Sequence, residues 1–206
     1  MATDDHPKLY LVTPPAFELA DFLPRLSAVL DGAEIACLRL ALATRDEDRL
    51  ARAADALRDA AHARDVPLVI DTHLALVDRL GLDGVHLPDG ARSVRAARKA
   101  LGADAIVGAF ARASRHEGMN AAEAGADYVA FGPVGASALG DGTGAPRELF
   151  EWRSEMIEVP VVAEGALTPA AAAELADVTD FMAVGEEIWG TDDPLAALAR
   201  ITSALG

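Results

Sequence analysis

The sequence predicts an α/β fold, a (β/α)8 TIM barrel, formed as one domain over residues 1–206. Short β-branched or apolar runs alternate along the chain with alanine-rich amphipathic stretches of helical length, the pattern that implies a parallel sheet. The alternation comes to about eight strand–helix pairs, the number that closes a barrel. No low-complexity linker and no abrupt change of composition divides the chain.

Strands are expected at 9–13, 35–40, 68–71, 84–87, 106–110, 128–132, 161–164 and 181–184. Between the second and third, Thr44 sits three residues before Glu47, a capping-box spacing, and Leu50, Ala53, Ala54, Leu57 and Ala61 then fall on one helical face. Thr168 before Pro169, and Asp193 before Pro194, place a capping oxygen ahead of a proline at the first helical position, so helices are expected after strands seven and eight. Glycine and serine thicken once, over 135–146, which reads as a loop at the C-terminal end of strand six. The first seven residues are expected to be disordered.

Composition narrows the partners. The 206 residues are 51% hydrophobic and carry 18 Lys and Arg against 33 Asp and Glu, for a formal charge of −15. With no basic run to interrupt that charge, nucleic acid and anionic membrane are poor partners. No apolar run approaches the roughly 20 residues of a membrane span, and no basic start precedes a long apolar stretch, so a cytoplasmic protein is expected. The single cysteine, Cys37, lies inside an apolar run and reads as a packed core thiol.

In such a barrel the chemistry sits at the C-terminal ends of the strands. In order these are Thr13, Arg39, Asp71 with His73, His86 with Asp89, Phe110, Pro133 and its loop, Glu164 with Gly165 and Ala166, then Glu186 and Glu187. A small-molecule ligand is expected there. Arg39 can serve as an anion hook or as a structural partner of Asp71 or Glu164. His86 can be a hydrogen-bonded core histidine, a ligand contact or a proton-transfer group. His73 lies two residues after Asp71 and shares its side if the strand continues, so the pair could supply two metal ligands, with Glu164 or Glu186 as a third. Strand alternation directs one of Glu186 and Glu187 to the mouth, where Glu164 can join it. Each carboxylate about 4 Å from a bound phosphate would cost on the order of several kcal/mol.

From 9–13 through Leu38-Arg39, 84–87, the Ala126-Asp127-Tyr128 to Val134 run and 159–163, the chain resembles the thiamine-phosphate synthase and thiazole tautomerase barrels. The run ending Phe131-Gly132-Pro133-Val134 is the most specific piece. The resemblance implies coupling of a hydroxymethylpyrimidine pyrophosphate to a thiazole phosphate, with Arg39 as electrostatic clamp, catalytic roles for Asp71 and His86, and Mg2+ held by Asp71 and Asp89. The residues depart from that pattern at the chemistry. The family's strand-two lysine falls on Ala41, its two magnesium aspartates on Thr72 and Ala91, its strand-five serine on Phe110, its loop lysine on Gly140, and its Gly-Gly phosphate turn on Gly165 and Ala166. The tautomerase's histidine falls on Pro133.

Two function classes therefore stand. One is a transferase of thiamine biosynthesis. The other is a barrel that has lost that reaction and binds a non-phosphorylated, cationic or neutral small molecule, or acts as a regulatory or partner subunit. An exposed apolar helix face in such barrels often makes a homodimer, which is expected here.

Overall fold

In the computed structural model, residues 6–137, 139–156 and 158–205 are described, without the side chains of 153–156. Of the seven residues expected to be disordered, 1–5 lie outside that set, and Pro7 is already buried against the barrel.

Eight parallel strands close in sequence order, each hydrogen-bonded to the next and the last to the first: β1 Lys8–Val12, β2 Ile35–Leu40, β3 Leu68–Asp71, β4 Gly84–Leu87, β5 Ile106–Phe110, β6 Tyr128–Phe131, β7 Val161–Ala163 and β8 Phe181–Val184. The connecting helices are α1 Leu19–Gly32, α2 Glu47–His62, α3 Leu74–Leu80, α4 Val94–Leu101, α5 Arg115–Glu123, α6 Arg147–Met156 and α7 Pro169–Leu175, and after β8 come a short α8 Glu186–Trp189 and α9 Pro194–Thr202. The sequence-based strand positions agree to within a residue at each end.

Alternation along each strand builds two apolar layers. Leu9, Leu11, Leu38, Leu40, Ile70, Val85, Val107, Val129, Phe131, Val161 and Met182 face the helices, packed on Phe22, Leu26, Leu57, Phe150 and Leu198. The opposite set, including Tyr10, Cys37, Val69, Phe110, Tyr128, Ala130, Val162 and Ala183, fills the lumen. Burial pushes the Cys37 thiol up to about 12, as befits a lumen thiol that stays protonated. Gly108 is needed on β5 because a Cβ there would lie 2.0 Å from the Cζ of Tyr128.

The helix starts are set by the side chains expected at two of three places. Thr168 accepts from the amide of Ala171 and Asp193 from that of Ala196, each just before its proline. At α2 the cap is Asp46, whose Oδ1 accepts from the amide of Arg49 at 2.9 Å, while Thr44 accepts from Asp46 and closes only the preceding turn. The capping-box reading of Thr44 and Glu47 is corrected accordingly; Leu50, Ala53, Ala54, Leu57 and Ala61 all bury as that face requires. Among the described residues no helix is long and apolar enough to cross a membrane.

Asp46→Ala is expected to lower stability by about 1 kcal/mol, and Thr44→Ala by clearly less, in urea denaturation. Equal losses would restore Thr44 as the cap.

Candidate functional site

The inward positions at the C-terminal half of the lumen carry two polar chains in an otherwise apolar interior. In the first, the guanidinium of Arg39 on β2 meets the carboxylate of Glu164, just past β7, as a fork: Nη1 donates to Oε2 at 3.0 Å and Nη2 donates to Oε1. Arg39 and Glu164 are 5% and 6% exposed, so this is an ion pair removed from water. The Nε of Arg39 lies 3.5 Å from Oδ1 of Asp71, too long and misaligned for a hydrogen bond, and both atoms are buried without one. Burial works against the Arg39 charge, but Glu164 and Asp71 outweigh it and hold the group well above its ordinary range. Asp71 is pushed up by burial, with Arg39 opposing the shift and Glu164 adding to it.

In the second chain the hydroxyls of Tyr10 and Tyr128 are 2.6 Å apart, and the Tyr128 hydroxyl lies 2.9 Å from Nδ1 of His86. The imidazole also stacks on the Tyr128 ring at 5.8 Å between centroids. Arg39 joins the chains, its guanidinium carbon 5.8 Å from the centre of the Tyr10 ring. Burial, reinforced by the Arg39 charge, holds His86 well below the ordinary imidazole range, so the ring is neutral in the folded protein.

At the rim, the loops after β7 and β8 face each other. The left-handed backbone at Gly165 (φ 93°) and Ala166 (φ 54°) turns the β7 loop back toward the mouth, at about 1 kcal/mol of strain for the alanine. Gly165 admits no side chain, since its Cβ would lie 3.0 Å from Cα of Pro133. The carboxylate of Glu187 bridges the two loops, accepting from the amide of Gly185 at 2.7 Å and from that of Leu167 at 3.0 Å. Glu186 is exposed. Reading these glutamates as the alternating end of a strand is therefore corrected: both lie in the first turn of α8, where a strand's two-residue period does not apply.

A cavity of about 220 Å³ opens at the mouth over Thr13, Glu164, Gly165, Ala166, Glu186 and Glu187, with Ala41, Ser137 and Leu139 completing its wall. Six of the sequence-derived site residues thus come together. Arg39, Asp71, His86 and Phe110 lie outside its lining, all but the half-buried Asp71 being buried in the lumen. Thr13 is spoken for, its hydroxyl accepting from the amide of Ala41. Pro133 accepts from Ala145 through its carbonyl and packs behind Gly165. His73 does not continue β3: the backbone turns at Thr72 (φ 60°), and the exposed imidazole lies against the carbonyl of Asp71 as α3 begins. Asp89 accepts from Ser93 through Oδ2, and its Oδ1 is buried without a partner. Among the described residues no three His, Cys, Asp or Glu side chains converge as a metal cage. Ser137 and Leu139 were foreshadowed only by the loop signal at 135–146. A second, larger groove of about 650 Å³ lies beside the mouth between Pro14, Phe17, Phe22 and Trp189, and Glu186 borders both.

Residues 9–188 match the sequence model of the family described as thiamine monophosphate synthase. The chain belongs to that family. It is 42% identical over 197 residues to the thiamine-phosphate synthase of Rhodospirillum centenum, covering 93% of this chain and 94% of that one. Identity to the thiamine-phosphate synthase of Erythrobacter litoralis is 37% over 198 residues, covering 93% and 92%. A thiamine phosphate pyrophosphorylase from Pyrococcus furiosus superposes with a TM-score of 0.84 at 23% identity, covering 96% and 95% of the two chains, a likeness that speaks to the fold. In this member of the family, Arg39 on β2 takes a carboxylate of its own chain, Glu164, as its partner.

Because His86 is neutral when folded and its pKa is lowered, its contribution to stability is present above the unfolded value near 6.5 and is lost as pH falls through the lower folded value. Unfolding free energy measured between about pH 5 and 8 is therefore expected to fall more steeply with acid in the wild type than in His86→Asn. Matching pH profiles would contradict a buried neutral imidazole.

Proposed function

We propose that this barrel binds a small, non-phosphorylated molecule, neutral or cationic, at its mouth, and does not displace pyrophosphate as the family's synthases do. The observation that carries this reading is the buried fork of Arg39 on Glu164. Displacing pyrophosphate requires fixed positive charge aimed at the departing anion. Arg39 supplies the lumen's guanidinium, and it is already bidentate to a carboxylate with a second carboxylate, Asp71, 3.5 Å from its Nε. An incoming pyrophosphate would have to break a pair that is out of water and would leave Glu164 buried and uncompensated, a loss of about 3–5 kcal/mol.

The rest of the mouth agrees. No lysine stands at positions 41 or 140, and Glu186 presents an exposed carboxylate to the cavity. Mg2+ is a poor fit to Asp71, because the shielded oxygen of that carboxylate already faces the Arg39 cation; Asp89 has one oxygen without a hydrogen-bond partner, and among the described residues no three His, Cys, Asp or Glu side chains converge around it. This reading routes nothing through a metal. A cavity of about 220 Å³ with one apolar wall and carboxylates at its floor and rim suits an aminopyrimidine-sized ligand with hydrogen-bond donors or positive charge.

A second reading is ordinary synthase turnover, favoured by the 42% identity to the Rhodospirillum centenum thiamine-phosphate synthase. The two separate in one pair of measurements on the purified chain. Pyrophosphate release from hydroxymethylpyrimidine pyrophosphate plus thiazole phosphate, with Mg2+, is expected to stay at the uncatalysed background. Calorimetry with unphosphorylated hydroxymethylpyrimidine is expected to give saturable heat. Multiple turnovers in the first assay would establish the synthase reading instead.

A further inference from the structure

Arg39 is bonded to one carboxylate and aimed at a second. Its Nη1 and Nη2 are forked on Glu164, while its Nε and Oδ1 of Asp71 stand 3.5 Å apart, each buried without a hydrogen-bond partner. Orphaned atoms of opposite charge that face each other are rare in a packed interior, because each has lost its hydration with no bond made in return. The sheet explains why these two meet. Arg39 lies opposite Val69 in the β2–β3 ladder, and Asp71 is two residues further on, so its side chain leaves the same face. A charged N–H donor sits about 2.7–2.9 Å from a carboxylate oxygen, so a shift of roughly 0.6–0.8 Å closes Nε onto Asp71.

We infer that Arg39 has two seats: a positively charged ligand group entering the mouth engages Glu164, and Arg39 then closes onto Asp71, which serves as its standby counter-ion. The inference rests on the reading that the mouth takes a cationic ligand, and it names Glu164 as the contact. Glu164 lines the mouth cavity whereas Arg39 and Asp71 do not, so an entering group meets Glu164 first. With all three side chains ionised the cluster sets one positive charge against two negative ones, and an added cation balances it. The two ways of opening the fork are therefore unequal. Opened by a cation, it leaves Arg39 beside Asp71; opened by an anion, it leaves Glu164 buried and unpaired. The Asp71 side chain keeps 35% of its surface exposed, so unlike Glu164 it holds part of its hydration while Arg39 is seated elsewhere. Asp71 is on this account a positioning residue, acting on the ligand through Arg39.

The test is a double-variant cycle on the full chain, with Glu164→Gln, Asp71→Asn and the two together, read by urea denaturation and by the Arg39 Nε–H resonance. In Glu164→Gln the resonance is expected to move downfield as the bond to Asp71 forms, and in the double variant that move is expected to be lost. The unfolding equilibrium constant of the double variant is expected to exceed the product of the two single-variant factors by at least roughly tenfold, since each carboxylate covers for the other. An unmoved resonance in Glu164→Gln, or additive losses, overturns the standby role and leaves the proposed ligand class standing; the single variant decides the matter even where the double variant does not fold. Calorimetry then ties the seat to the ligand, with unphosphorylated hydroxymethylpyrimidine as probe, an aminopyrimidine whose ring takes up a proton more readily beside a carboxylate. Asp71→Asn is expected to bind it at least roughly threefold more weakly than wild type, although residue 71 lies outside the cavity lining. Equal affinity overturns the link between Asp71 and the ligand. A moved resonance and coupled losses, with no saturable heat from wild type, overturn the ligand class and keep the two-seated arginine.

Discussion

Arg39 on β2 and Glu164 just past β7 reach each other through the lumen, 125 residues apart in sequence, and the character of the mouth follows from that pair. Taking two charges out of water costs several kcal/mol for each ion, so a pair in the lumen persists only with good geometry and further polar support. The two-pronged fork supplies the geometry. The Tyr10 ring beneath the guanidinium and the Asp71 carboxylate beside it supply the support. Two carboxylates, those of Glu164 and Asp71, thus face one guanidinium beneath the mouth.

The same economy appears at the rim. Glu187 closes the two amides of the β7 and β8 loops, so the backbone donors that could face a phosphate are satisfied from within the chain. In the lumen, His86 is kept neutral by burial and tied to Tyr128, which makes it a fixed dipole rather than a standing charge.

The strands were legible because a parallel barrel buries both faces of every strand, which leaves continuous apolar runs such as 35–40 and 106–110 standing out from the helices. Arg39 and Glu164 were visible as charges inside such runs, and either role of Arg39 was open until the opposite carboxylate could be placed. What stayed hidden was α8. Four residues give no helical periodicity to read, and its start at Gly185 has no capping side chain. Glu186 and Glu187 therefore looked like alternating strand residues, and the one that binds the amides could not be chosen. The turn at Thr72, which carries His73 away from the β3 direction, was hidden for a related reason, since a threonine with positive φ is rare and leaves no local signature.

The measurement that bears most directly on this account is NMR observation of the Arg39 guanidinium Nε–H during titration with pyrophosphate and Mg2+, in the wild type. The account predicts that the resonance stays where it is throughout, because Arg39 remains forked on Glu164. A saturable shift of that resonance at micromolar pyrophosphate would contradict it, showing that the arginine is free to serve an anionic substrate.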